Sequence, residues 1–498
     1  MSHFSRVRFR FEGSETQSRL QVSSALREMI FGVCGLICSV MLTIGCSDER
    51  NDQSAEPEEI AEPDETTPLG DPERGFQVLV NSGYVSCGIP ESLSSFLGLE
   101  GAENLIEGRN ALNQDMPYFF TKYEAASGVK LIVANCLTCH ASHFNGELII
   151  GLGDVYQNYA QDLAQTAELG LSLADRLLES QAEIDELTKF VNRTLAISDY
   201  TKTLTAGVNP AVSVTAGIMS HLDPVTLQWS DTPILDVPDS YRELIVAANP
   251  PPWWWYKKKT RMFYSASGGG SHVAWSMLAS SMCLDNKEQA QAIADDFPDL
   301  LAYLKSIPAP DYPWDINAEL ADRGEEVFGE HCSACHGTYS LNWTYPEVVI
   351  PIEDIGVDEQ MAVRMHDADL FHDWVARSFF GESSRATPEL GYVAPPLDGV
   401  WATAPYLHNG SVPTLDALLN SVKRPTCWTW SYDSTDYNQQ TLGWNFQESE
   451  CHDSITSADE RSLVYDTQQL GYGNQGHTYG DVLSEGDRVA LLEYIKTL

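Results

Sequence analysis

Asn135–Gly146 reads NCLTCHASHFNG: two cysteines three residues apart, a histidine directly after the second, and another histidine three residues on. A zinc knuckle, a redox disulfide and a covalent cofactor anchor all use such a pair, but each asks for different surroundings. The pattern returns as Cys332-Ser333-Ala334-Cys335-His336. A zinc site made of two pairs has no use for a histidine immediately after each second cysteine. A thioredoxin-like pair wants a strand before it and a helix after, whereas Gly337 follows the second copy. C-x-x-C-H is the attachment pattern of haem c, in which both thiolates form thioether bonds to the porphyrin and the histidine ligates iron from one face. Two copies predict two covalent haems, one on Cys136, Cys139 and His140 and one on Cys332, Cys335 and His336.

A second repeat supports the first. Leu300–Ile307 reads LLAYLKSI and the last eight residues, Leu491–Leu498, read LLEYIKTL; Leu300 lies 160 residues after His140 and Leu491 lies 155 after His336. The spacing predicts the same module twice: a helix leading into C-x-x-C-H, ligand-bearing loops, and an amphipathic closing helix. Ala321–His331 fits a leading helix, with Val327 and Phe328 facing inward. The expected fold is therefore mainly α with extensive loops, as two cytochrome c-like haem domains in tandem over 75–310 and 311–498. The boundary falls in the proline-rich SIPAPDYPWD, Ser306–Asp315. The first domain carries a helical insertion, because Ile184, Leu187, Val191 and Leu195 step by three, four and four along one helical face.

The chain's 498 residues suit two domains. Its 71 acidic against 30 basic residues give a formal net charge of −41, a field that repels phosphate backbones and excludes nucleic acid as a partner. Residues 1–46 read as an export signal: arginines, then the apolar run Met29–Gly45, then Cys46. The LTIGC at its end resembles a bacterial lipobox, which implies lipidation of Cys46. Residues 47–74 are acidic and proline-containing with few large apolar side chains, the composition of a disordered tether. An exported chain lives where disulfides persist, so the remaining four cysteines are expected to pair as Cys427 with Cys451 and Cys87 with Cys283.

Function turns on what fills the second axial position of each iron. Candidates are His221 and His272 for the first haem, and His408, His477 and Met365 for the second. His477 lies in the glycine-rich GYGNQGHTYG, which can approach a flat macrocycle closely, and is the preferred sixth ligand of the second haem. His408, on a turn of YVAPPLDGVWATAPYLHNGSVPTL, is read as an exposed structural or propionate-side residue, and His143 as a proximal-side neighbour. In PPPWWWYKKKTRMFY, Pro250–Tyr264, a basic island of Lys257, Lys258, Lys259 and Arg261 could meet haem propionates, and the indoles could carry an electron between haems.

These motifs resemble the bacterial di-haem cytochrome c peroxidase superfamily and, within it, the rubber oxygenase-like branch, from about residue 70 to the end. The stretches that carry the resemblance include GYVSCGIP, both C-x-x-C-H segments, PPWWWYKKKTRMFY, APPLDGVWATAPYLHNGSVPTL and the terminal GHTYGDVLSEGDRVALLEYIKTL. The resemblance implies an oxidoreductase whose first haem, on His140, activates peroxide or dioxygen at an open distal face. It also implies a second haem, between His336 and His477, that relays electrons, with Trp253 or Trp254 at the relay position. A small-molecule oxidant or dioxygen, a small redox protein donor and a periplasmic or outer-membrane lipoprotein location complete the expectation. The competing reading is a non-catalytic di-haem electron carrier.

Overall fold

A computed structural model describes residues 70–498 apart from 96–98, 100–103, 162 and 279, and the side chains of 163, 165, 166 and 175 are also left undescribed. The export signal read over 1–46 and most of the tether read over 47–74 lie outside the described residues. The first helix, Pro72–Asn81, reaches into the end of that tether stretch. Asp71 starts it by accepting the Glu73 and Arg74 backbone N–H groups, and Pro72 sits where a missing N–H costs nothing.

Helix Pro72–Asn81 packs against Phe297–Ser306, and Ala318–His331 packs against Glu485–Ile495. Both crossings are set by a glycine. A Cβ on Gly75 would lie 1.9 Å from the Asp299 carbonyl oxygen, and one on Gly324 would lie 2.0 Å from that of Ala490. Asp299-Leu300 and Ala490-Leu491 occupy matching places in the two LL-x-Y repeats, so the repeat is the same close helix crossing made twice.

The expectation of a mainly helical chain made of two cytochrome c-like domains in tandem is overturned. The described residues are 40% helical and 13% strand, with several small sheets, and the tandem arrangement does not appear among them. The two attachment segments are reached differently. Cys332 follows directly on helix Ala318–His331, whereas Cys136 follows the strand Lys130–Ala134. That strand is central in an antiparallel sheet between Ile89–Pro90 and Phe120–Glu124. Its KLIVA run buries Leu131 to Ala134, as a strand covered on both faces must. Beyond the short helix Leu137–His140, strands Ala141–Phe144 and Glu147–Ile150 form a hairpin. Asn145 and Gly146 both take positive φ (51° and 83°) at its turn, the conformation an Asn-Gly pair favours.

Other expectations hold. Helix Gln181–Ile197 starts on a Ser180/Glu183 capping box and buries Leu187 and Val191. The disulfides are Cys87–Cys283 and Cys427–Cys451. Across the boundary read at 310/311, strand Gly268–Gly270 pairs with Ser384–Ala386. Among the described residues no helix is long and apolar enough to cross a membrane.

Two predictions test this packing. Gly324→Ala pushes a methyl group into a backbone carbonyl and should cost about 1–3 kcal/mol in denaturant unfolding; an unchanged midpoint would mean the helices part freely. Asp154, whose backbone N–H bonds the Cys139 carbonyl at 2.8 Å, is buried, and desolvation raises its carboxyl to about 6 despite hydrogen bonds from the Tyr156 backbone and the Gln157 side chain. A raised folded-state value favours the protonated form, so its stabilisation is complete below about pH 4 and is lost as pH rises through 6. Asp154→Asn should remove that decline, and coincident urea midpoints for both proteins from pH 4 to 7 would exclude it.

Candidate functional site

Two apolar cavities lie beside the attachment segments. The one at Cys332, Cys335 and His336 has a volume of about 270 Å³, and the one at Cys136 and His140 about 170 Å³. None of the four cysteines is in a disulfide.

In the larger cavity His336 Nδ1 lies 2.8 Å from the Pro395 carbonyl. With that nitrogen donating its proton, Nε2 is left with its lone pair, the form a metal requires. His477 lines the same cavity, with its ring centroid 6.3 Å from that of His336. Two imidazoles sharing one metal, with bonds of about 2.0 Å and about 1.2 Å from nitrogen to ring centre, sit roughly 6.4 Å apart. The centroid spacing of the pair is that of two imidazoles on one metal. Burial lowers the pKa of both rings, His477 to about 4, so both are neutral at neutral pH.

The loop holding His477 is built for that position. Gly476 (φ 73°) crosses so close to Gly356 that a Cβ would lie 2.2 Å from its backbone, and His477 itself has φ 43°. The Arg424 guanidinium secures the strained turn by donating to the carbonyls of Leu418, Asn474, Gly476 and His477, while the His477 N–H bonds Ile355.

The smaller cavity differs. His140 is the one histidine among its described lining residues, which include Lys259, Met262, Phe263, Met361 and Met365. Burial lowers His140 to about 4. The Pro251 carbonyl lies close enough to oppose that shift, but Nδ1 makes no hydrogen bond of good geometry. Trp253 stacks on the His140 ring, 5.0 Å between centroids at 24°. Phe263, a bulky residue at φ 72°, is held in the left-handed region at the cavity wall, a conformation costing about 1–3 kcal/mol.

The basic island divides its duties. Lys258 pairs with Asp398 at 2.8 Å and faces the Tyr339 ring at 4.3 Å, and Arg261 pairs with Glu389. Lys259 alone of the three turns to a cavity, where its amine donates to the Phe263 carbonyl at 3.0 Å. Desolvation lowers it to about 8, and among the described residues it forms no ion pair. A half-buried cation that makes no ion pair suits an anionic group such as a haem propionate.

Of the two tryptophans expected at the relay, Trp253 contacts His140, whereas Trp254 lines neither cavity and donates to the Asp398 carbonyl at 2.7 Å. The residue common to both walls is Trp255, with Asn249, Pro250, Pro252, Tyr264 and Pro395. His408 is buried rather than exposed, because it stacks on Tyr392 at 4.1 Å and 20° and lines the larger cavity. Met365, a candidate for the second centre, lines the first instead. His221 lines neither; it stacks on Trp229, with Nδ1 2.7 Å from the Ser230 carbonyl. His272 Nε2 lies 3.0 Å from the Thr260 carbonyl, also outside both linings. His143 is half-buried on strand Ala141–Phe144, edge-on to Tyr118 at 5.9 Å.

The two proline carbonyls were not anticipated. A signal for them exists in the sequence, since each centre has a consecutive-proline segment, NPPPW at 249–253 and APPLD at 394–398. A proline carbonyl remains a free acceptor where the ring fixes the chain.

Residues 391–429 match the family model described as RoxA-like, cytochrome c-like. That match implies haem c and a haem-related redox role, and it supports the rubber oxygenase-like cytochrome branch. The chain is also 29% identical over 240 residues to uncharacterized protein y4iM of Sinorhizobium fredii (strain NBRC 101917 / NGR234), covering 39% of this chain and 52% of the relative. It is 29% identical over 246 residues to uncharacterized protein y4iJ of the same strain, covering 37% of this chain and 39% of the relative. The chain thus spans about half the length of the first of these curated relatives and less of the second.

Proposed function

We propose that the protein is an exported di-haem c-type oxidoreductase of the cell envelope, lipid-anchored through Cys46, in which the centre at His140 activates peroxide or dioxygen and the centre at His336 holds and relays electrons. One observation carries the reading: four histidines line the larger cavity and two of them, His336 and His477, have ring centroids 6.3 Å apart, whereas the described lining of the smaller holds His140 alone. Two nitrogen ligands suit an electron-holding iron; one leaves a face for an oxidant. When bound, haem supplies the redox and oxygen chemistry.

The chain's residues supply the rest. Pro395 orients the His336 imidazole and Trp253 holds that of His140 by stacking, Lys259 meets an anionic group, and Phe263, Met262 and Met361 keep the reactive face dry. Trp253, on His140, and Trp255, common to both walls, form the electron path between centres. A small redox protein is the proposed donor for a peroxidase reaction, and an apolar unsaturated substrate is the alternative fate of dioxygen.

Absorption and EPR spectra test the division directly. A high-spin signal from one haem and a low-spin signal from the other is expected, and two low-spin haems before and after one-electron reduction would instead favour the electron carrier. His477→Ala should convert the second haem from low to high spin while His408→Ala leaves it low; the opposite pattern would transfer the ligand role to His408. Replacing Cys136 and Cys139, or Cys332 and Cys335, by serine should each halve covalent haem stain, and full stain in either variant would disprove attachment there.

A further inference from the structure

The linker Ser306–Asp315 brings two aromatic residues that the site does not use. Tyr312 lies edge-on to Trp401 at 5.1 Å and 5.3 Å from Trp314, which stacks on Tyr437 at 5.6 Å and 11°. Trp401 is 1% exposed, whereas Tyr312 and Trp314 are partly open to solvent. The rings form a file from interior to surface.

Its inner end adjoins the wall between the cavities. Trp254 donates to the Asp398 carbonyl, and a Cβ on Gly399 would lie 3.1 Å from the Trp254 Nε1, with Trp401 two residues further along. Phe144, four residues after His140, also contacts Trp401, at 5.3 Å. The Trp401 Nε1 and Tyr312 hydroxyl are both buried without a hydrogen-bond partner, a state that the Trp229 indole shares, although those of Trp254, Trp275, Trp374, Trp428 and Trp444 each donate to a carbonyl. A core needing only bulk would avoid two orphaned polar groups side by side, and such groups call for a reason beyond packing. Indole and phenol are the side chains that most readily release an electron.

We propose that Trp401, Tyr312 and Trp314 are a discharge route, which carries oxidising equivalents away from the wall to the surface when no substrate takes them. The proposal rests on the reading of His140 as the peroxide-activating centre. In each step one electron moves inward: Trp401 gives one to the oxidised centre through the wall indoles, Trp314, whose partly open ring can release its N–H proton to water, refills Trp401 by way of the Tyr312 ring, and a one-electron reductant of the ascorbate class restores Trp314 with an electron and a proton. An orphaned Trp401 N–H has no acceptor for its proton, so that indole changes charge by the electron alone.

The full-length, haem-loaded protein is treated with hydrogen peroxide without reductant, followed by freeze-quench EPR and peptide mass spectrometry. A protein-based radical and oxidised Tyr312 and Trp314 are expected, and Trp401→Phe should lose both oxidations while peroxide consumption continues. Should Trp401→Phe not fold, Trp314→Phe, on a partly exposed ring, should leave oxidation accumulating at Tyr312 and Trp401. Oxidation confined to cavity residues, or unaltered at Tyr312 and Trp314 in Trp401→Phe, would overturn the route while leaving the haem reading intact. Failure to consume peroxide would overturn both.

Discussion

The backbone carbonyl of Asp398 accepts two indole N–H groups, from Trp254 at 2.7 Å and Trp255 at 3.0 Å, while its carboxylate pairs with the buried ammonium of Lys258. A carbonyl oxygen has two lone pairs, and here both are used. The consequence is that WWWYKK, at 253–258, and PPLDG, at 395–399, are fixed to each other as one wall. Breaking any of these contacts leaves a buried donor or charge without compensation, which costs more than the contact itself contributes. Both cavities, both proximal histidines and the shared Trp255 take their positions from that wall.

Around it the two centres are alike in anchoring and unlike in access. His336 bonds a proline carbonyl and His140 lies beside another, and each is flanked by a helix crossing narrowed by a glycine. Opposite His336 the chain spends backbone strain at Gly476 and His477, locked by Arg424, to bring a second imidazole inward. Opposite His140 the strained residue is Phe263, which carries no ligand atom. The same device, a positive φ held by neighbours, delivers a nitrogen in one cavity and a hydrocarbon surface in the other.

The closing helices and both disulfides were legible because each rests on a local pattern with a fixed period or a count that must come out even. The fold class was not. A repeated motif encourages the assumption of a repeated domain, yet the strand KLIVA is a short apolar run that periodicity cannot distinguish from a helix segment, and it feeds Cys136 directly. The hairpin after His140 was available in principle, since Asn145-Gly146 between HF and EL is a strong turn signal. The C-x-x-C-H reading drew attention from it. His408 was placed outside because histidines on turns are usually exposed; its burial follows from a stack on Tyr392, a contact between residues 16 apart that no local rule predicts. Trp255 was overlooked for a similar reason: three adjacent tryptophans are equal in sequence, and only the crossing chain decides which faces which cavity.

The Cys87–Cys283 bridge encloses Cys136 and Cys139 within its 196-residue span. Under the proposed export, Cys87 reaches an oxidising compartment first and Cys283 last, and any thiol can attack any disulfide formed early. Cys87 waits for Cys283 while the attachment pair is already present, so the nearest wrong partner is always at hand. Under the proposed haem attachment, maturation carries an ordering problem: the Cys136 and Cys139 thiols must be kept reduced until they meet porphyrin, and the bridge that ties the body together is best closed last.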